Sequence, residues 1–267
     1  MSLVTTRAVL LRSFPYSETS RVLRFYTESL GAVGVMARGI RTGSSKSGSG
    51  LDVFAEMALT LHIKSTRELQ TLKEFTVTRA RRSLGVDVRR LGGASVLAEV
   101  VLKHAGEDSN PPLFEALSDG LDRLGDVPSD RMITTILREG WCLVSTLGYR
   151  PVAEVCVECG SDPGDALTRF DFSAGGIRCA GCSGIAAGPR LGPRARAQIV
   201  ALLDNTELLQ VERPRAHLRL LGDFITYHLS DGRPLASFKV LAALLDDPAA
   251  VPPLELGVAP SVGGAGA

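Results

Sequence analysis

Four cysteines in two matched pairs restrict what this chain can fold into more than any other feature. Cys156 and Cys159 form one C-x-x-C, and Cys179 and Cys182 form a second. Two such pairs at this separation are the ligand pattern of a tetrahedral zinc site. A full set of four thiolates leaves Zn²⁺ no open position for water or substrate. The motif therefore points to one structural zinc ion, and the function has to be sought in other residues. Two disulfides are the alternative. Residues 1–16 are interrupted by Arg7 and Arg12 and do not read as a secretory signal. No apolar run approaches the ~18 residues of a membrane span. A soluble, cytoplasmic protein is expected, with no membrane partner, and in that compartment thiols stay reduced and bind metal. The fifth cysteine, Cys142, lies between Trp141 and Leu143 and reads as a small buried apolar residue.

The formal net charge of +1 hides a division of sign. Residues 1–82 hold 13 Lys+Arg against 6 Asp+Glu, a balance of +7, and the rest of the chain balances at −6. A basic first segment suits nucleic acid or another anionic surface. A solvated surface with a chance excess of cations is the alternative.

Strand patterns fill the same segment. Residues 8–12 are short and apolar, 21–27 are rich in aromatic and β-branched side chains, and 32–37 follow a Ser29-Leu30-Gly31 turn. From 51 to 64, Leu51, Val53, Ala55, Met57, Leu59, Leu61 and Ile63 occupy every odd position. This period of two predicts one long strand with a buried face. Phe54 then falls on the wet face as a candidate base-stacking residue. A last strand is expected around 69–78. Five short strands in eighty residues fit a small closed barrel, either an OB-fold or an SH3-like one.

Between the third and fourth strands, residues 38–50 carry Arg38, Arg41 and Lys46, no acid, and many Gly and Ser. Such a loop lets backbone N–H groups and cations approach phosphates, although an ordinary hairpin tip has the same composition. It lacks the G-x-x-x-x-G-K-[ST] pattern of a nucleotide-binding loop. Arg21 and Arg24 on the second strand, of which one is expected to reach the binding face, and Lys64 after the fourth complete the candidate DNA-binding set. His62 reads as a solvated strand residue.

From residue 86 the period becomes helical. Val96, Leu97, Val100 and Val101 form one apolar stripe, and Leu113, Phe114, Leu117, Leu121 and Leu124 a second. A third helix capped by Ser129 or Asp130 carries Ile133, Ile136, Leu137, Trp141 and Val144. The cysteine module, residues 155–183, follows, with a short strand at 167–172. Helices resume over 193–203 and 215–229, and the Pro-, Gly- and Ala-rich 247–267 reads as a disordered tail. The expected organisation is α+β: an OB-fold barrel over 1–80, a helical domain over 81–154 and 184–246, and the zinc module inserted in it. No G-x-S-x-G, H-E-x-x-H or dinucleotide-binding glycine pattern is present, so no catalytic residues are expected.

This order of parts resembles the RecO family of bacterial DNA repair and recombination mediators. Local segments carry the likeness: Thr27-Glu28-Ser29-Leu30-Gly31, Ala37-Arg38-Gly39-Ile40-Arg41, the two cysteine pairs, and Gly232-Arg233-Pro234-Leu235-Ala236-Ser237. The resemblance implies sequence-independent binding of single- and double-stranded DNA, and annealing of complementary strands. It also implies help in loading the RecA recombinase onto DNA coated by single-strand-binding protein. Its implied partners are DNA, the RecR protein and the C-terminal tail of single-strand-binding protein, with RecA engaged indirectly in the nucleoid. Arg38, Arg41 and Lys46 match the family's basic loop. The tail pocket is expected in the C-terminal helices, near Arg215 and Arg219. Two other classes stay open on the residues alone: a zinc-ribbon transcription or RNA-binding module, and a nuclease with dispersed carboxylates.

Overall fold

The computed structural model describes residues 2–18, 20–38, 51–185, 188–206 and 208–246. Five strands come first: β1 (Ser2–Ser17), β2 (Ser20–Thr27), β3 (Gly31–Arg38), β4 (Glu56–Ile63) and β5 (Leu69–Arg79). They close a barrel in the order β1-β2-β3-β5-β4, antiparallel except where β3 meets β5. Closure comes from β1, whose first half pairs with β4 and whose second half pairs with β2. This is the five-stranded OB-type barrel, and the SH3-like alternative falls away. Leu10, Leu23, Phe25, Val35, Met57, Leu59 and Leu61 fill its interior.

Two expectations for the barrel need correction. The first strand runs well past Arg12, to Ser17. The alternation at 51–64 is not one strand, because β4 begins only at Glu56. At Phe54 the backbone turns into the left-handed region (φ 74°) and carries the ring away from solvent. Phe54 is 4% exposed and packs in the core shared with the helices, so it cannot stack on a base.

The helices are α1 (Val88–His104), α2 (Pro111–Asp126), α3 (Met132–Thr146), α4 (Pro193–Leu203), α5 (Pro214–Leu229) and α6 (Ala236–Asp246). Asp87 caps α1 and Asn110 caps α2 through its side-chain oxygen. The expected cap on α3 is absent: residues 129–131 form a 3-10 turn, and no side chain caps Met132. Trp141, fully buried on α3, meets Phe224 of α5 edge to face at 5.3 Å. None of the described helices is long and apolar enough to cross a membrane.

Barrel and helices share one core. Val9, Leu11 and Tyr26, on the outer wall of the barrel, cluster with Phe114 and its helical neighbours. Beside them lies an ion-pair hub. Glu56, 3% exposed, accepts from Arg7 at 3.2 Å, from Arg81 at 3.1 Å and from the Ser118 hydroxyl at 2.5 Å. Arg81 also reaches Asp122 and the Phe54 carbonyl, and Arg7 reaches Glu115. Removing two charges from water is costly, so a hub this buried holds only because every member is multiply paired.

The cysteine module adds β6 (Thr168–Asp171), β7 (Gly176–Arg178) and β8 (Arg190–Leu191) in one small sheet, order β7-β6-β8. It thus extends past residue 183 to Leu191. Phe170 and Ile177 anchor it in the helical core, with Phe170 against Phe224 at 5.9 Å. Residues 232–235 form the turn and short irregular stretch that leads into α6. The tail at 247–267 lies outside the described residues.

Candidate functional site

Two C-x-x-C turns bring the four cysteines of the module together. In the first, Gly160 donates to the Cys156 carbonyl at 2.8 Å, and Cys156 N–H donates to Ser161 at 2.9 Å. Gly160 has φ 71°, a conformation that glycine adopts without strain. In the second, Cys182 N–H donates to the Cys179 carbonyl at 3.1 Å. Arg178 ties the turns to the sheet, reaching Glu158 and Asp171, each at 2.6 Å.

The four sulfurs lie within 4.8 Å of one another, and the Cys159 and Cys179 sulfurs are 3.8 Å apart. A tetrahedral ion with metal–sulfur bonds of about 2.3 Å needs sulfurs about 3.8 Å apart. The donor set therefore fits a metal ion, and no disulfide is formed. Burial would raise the Cys156 thiol, but N–H groups of Cys179, Cys159 and Glu158 outweigh it and lower the thiol to about 6. Hydrogen bonding with the sulfurs of Cys179 and Cys159 pushes Cys182 up to about 12. Four sulfurs this close share charge poorly, and a divalent cation relieves that repulsion when it replaces their protons. Cys142 stands apart on α3, half-buried, with its thiol raised by burial and by Glu139.

The basic character of the first 82 residues is only partly free of acidic partners, since Arg7, Arg79 and Arg81 serve the Glu56 hub. Among the described residues, three exposed cations stand on the outer wall of β1, β2 and β3. Cross-strand partners share a face. Arg24 stands opposite Arg12 on one side and Gly34 on the other, Val22 stands between Phe14 and Met36, and Ser20 faces Arg38. Gly34 leaves space for Arg24, whose guanidinium lies 2.8 Å from where a Cβ would stand. The lower half of this wall is covered by the helices through Val9, Leu11 and Tyr26. Its upper half is open, with Arg12, Arg24 and Arg38 all exposed.

Each expected DNA-binding residue in the described segments has a definite place. Arg24 and Arg38 fall on the open wall. Arg21 points the other way and donates to Ser13 at 2.7 Å. Lys64 begins the β4–β5 turn, which Gln70 closes by bonding Lys64 and the Arg67 carbonyl. That turn and Arg24 border a cleft of about 610 Å³. Arg41 and Lys46 lie outside the described residues. Arg12, and Lys103 at the end of α1, were not in the expected set. With Arg24 they line a crease of about 460 Å³ between barrel and helix. A β-bulge at Leu11 reverses which residues of β1 face out, so simple alternation could not find Arg12.

Arg215 and Arg219 border a groove of about 400 Å³ between α5 and α6, floored by Leu218, Leu235 and Phe238. Arg215 is engaged with the Leu245 carbonyl at 2.8 Å, near the end of α6. Arg219 and Lys239 are exposed at the rim.

Comparison with known proteins matches the barrel and most of the helical part. The family model for the N-terminal part of recombination protein O covers residues 1–81, and that for its C-terminal part covers 85–237. A protein of Anaeromyxobacter sp. (strain K) named DNA repair protein RecO is 30% identical over 253 residues, spanning 90% of this chain and 96% of its own. Proteins of the same name from Geobacter metallireducens and Bacillus pumilus are 27% and 29% identical. The first alignment spans 92% of this chain and all of the relative, the second 67% and 68%. A barrel, a helical domain and a four-cysteine module in this order, matched by both halves of one family, place the chain in the RecO family of DNA repair proteins.

Proposed function

We propose that this protein is a non-catalytic recombination mediator. It binds single- and double-stranded DNA without sequence preference, anneals complementary strands, and assists loading of RecA onto DNA coated by single-strand-binding protein. The observation that carries the reading is the open half of the outer wall of β1–β3, where Arg12, Arg24 and Arg38 stand exposed together. Strands 2 and 3 and the flanking turns are the surface an OB barrel offers to oligonucleotides. Annealing makes and breaks no covalent bond. Cations that neutralise phosphates lower the repulsion between two strands, and release of counterions supplies the affinity.

The metal is zinc, held by Cys156, Cys159, Cys179 and Cys182 as a brace. The α5–α6 groove suits the acidic tail of single-strand-binding protein, with Arg219 and Lys239 for its carboxylates and an apolar floor for its last side chains. RecR is the further family partner, and the setting is the cytoplasmic nucleoid. A strand-annealing assay with labelled complementary oligonucleotides, bare and coated by single-strand-binding protein, tests the reading. Annealing that is accelerated by the protein and suppressed by salt is expected. Equal rates with and without the protein would refute it.

A further inference from the structure

Beside the three arginines, the second half of β1 carries two exposed aromatic rings. Phe14 is 44% exposed and Tyr16 is 70% exposed, although both lie within a strand. Phe14 stands opposite Val22, which in turn faces Met36, so a small apolar strip crosses the wall between Arg12–Arg24 and Arg38. Tyr16 follows at the second β1 irregularity, next to the β1–β2 turn. Neither ring belongs to the barrel core or to the core shared with the helices. Phe14 also borders the crease lined by Arg12, Arg24 and Lys103.

Flat apolar rings flanked by fixed cations are complementary to one class of ligand: an unpaired nucleic-acid strand, whose bases offer π-faces and whose phosphates offer charge. A duplex keeps its bases stacked on one another and presents only phosphates to such a wall. We infer that Phe14 and Tyr16 form a base-stacking platform that would make this protein favour unpaired strands, while Arg12, Arg24 and Arg38 hold the backbone of either form. The inference rests on the DNA-binding reading above and adds the residues that distinguish one strand from two. Phe54, the aromatic residue that alternation alone put on the wet face, is excluded by its burial.

Fluorescence anisotropy with a labelled oligothymidine, an abasic strand of equal length and a duplex separates the possibilities. The Phe14→Ala/Tyr16→Ala variant is expected to lose at least about tenfold in affinity for oligothymidine. Its affinity for the duplex and for the abasic strand is expected to stay within about twofold of wild type. The wild-type protein is expected to bind the abasic strand about as weakly as the variant binds oligothymidine. Both rings are exposed, so the variant keeps its core, and a melting temperature equal to wild type verifies this. Phe14→Trp supplies a second reading: its emission, seen above the buried Trp141, should be quenched by oligothymidine and not by the abasic strand. Equal losses on single strand and duplex, or no loss at all, would overturn the platform while leaving DNA binding intact. A wild-type protein that binds none of the three would overturn the DNA-binding reading itself.

Discussion

Glu56 shows how single residues fix the relation between barrel and helices. Burial alone would raise its carboxyl, but the Ser118 hydroxyl and the Arg7 guanidinium outweigh that and hold it below the ordinary carboxylate value. A carboxyl lowered in the folded state stabilises the fold above its unfolded value, about 4.3, and loses that contribution as pH falls through the folded one. The contribution of Glu56 to stability should therefore be level from neutral pH to about 5 and decline below about 4. Glu56→Gln leaves Arg81, 3% exposed, with one fewer carboxylate and should cost about 3 kcal/mol at pH 7. In melting curves taken across pH, the gap between wild type and Glu56→Gln should narrow below about pH 4. A gap independent of pH would show that the charge of Glu56 is not what matters. None of these pairings could be read from the chain, since Glu56 and Ser118 are 62 residues apart.

Among the elements, the cysteine module was the most legible. Its ligands are encoded by local spacing, and a turn of four residues admits few geometries. Strand β4 was less so: alternation continues back to Leu51, but the positive φ at Phe54 breaks the strand, and apolar period alone does not report backbone handedness. The bulge in β1 concealed Arg12 and Phe14 in the same way. The module supports a separable prediction. Cys156→Ser with Cys159→Ser should abolish metal binding, seen by native mass spectrometry as loss of one ion of zinc mass. The melting temperature should fall by about 5–10 °C, because Phe170 and Ile177 still anchor the module from one side only. DNA affinity should stay within about twofold of wild type. A large loss of DNA binding in a variant that still melts cooperatively would move the DNA site into the module.

At the scale of the molecule, the chain's even charge balance conceals a division of labour. Part of the N-terminal excess of cations is paired with acids of α2, through Arg7, Arg79 and Arg81. Arg12, Arg24 and Arg38 stand instead on the half-wall that the helices do not cover. The helical half carries the metal module and the α5–α6 groove, at a distance in the chain from that wall. Arg219→Ala with Lys239→Ala should weaken capture of an acidic peptide ending in an apolar residue by about tenfold, in a pull-down or by calorimetry, and leave oligonucleotide binding unchanged. Concurrent loss of both would show that the two surfaces are not separate.

DNA phosphates, on this account, are held by the open outer wall of β1–β3. The most direct test is the salt dependence of oligothymidine binding, compared between wild type and Arg24→Ala/Arg38→Ala. Every phosphate that an arginine no longer neutralises should flatten the plot of log affinity against log salt by about 0.7 for a single strand. The double variant is therefore predicted to have a slope shallower by about 1.4, with affinity reduced to a similar extent on every sequence tried. A slope identical to wild type would contradict the account and place phosphate binding elsewhere on the protein.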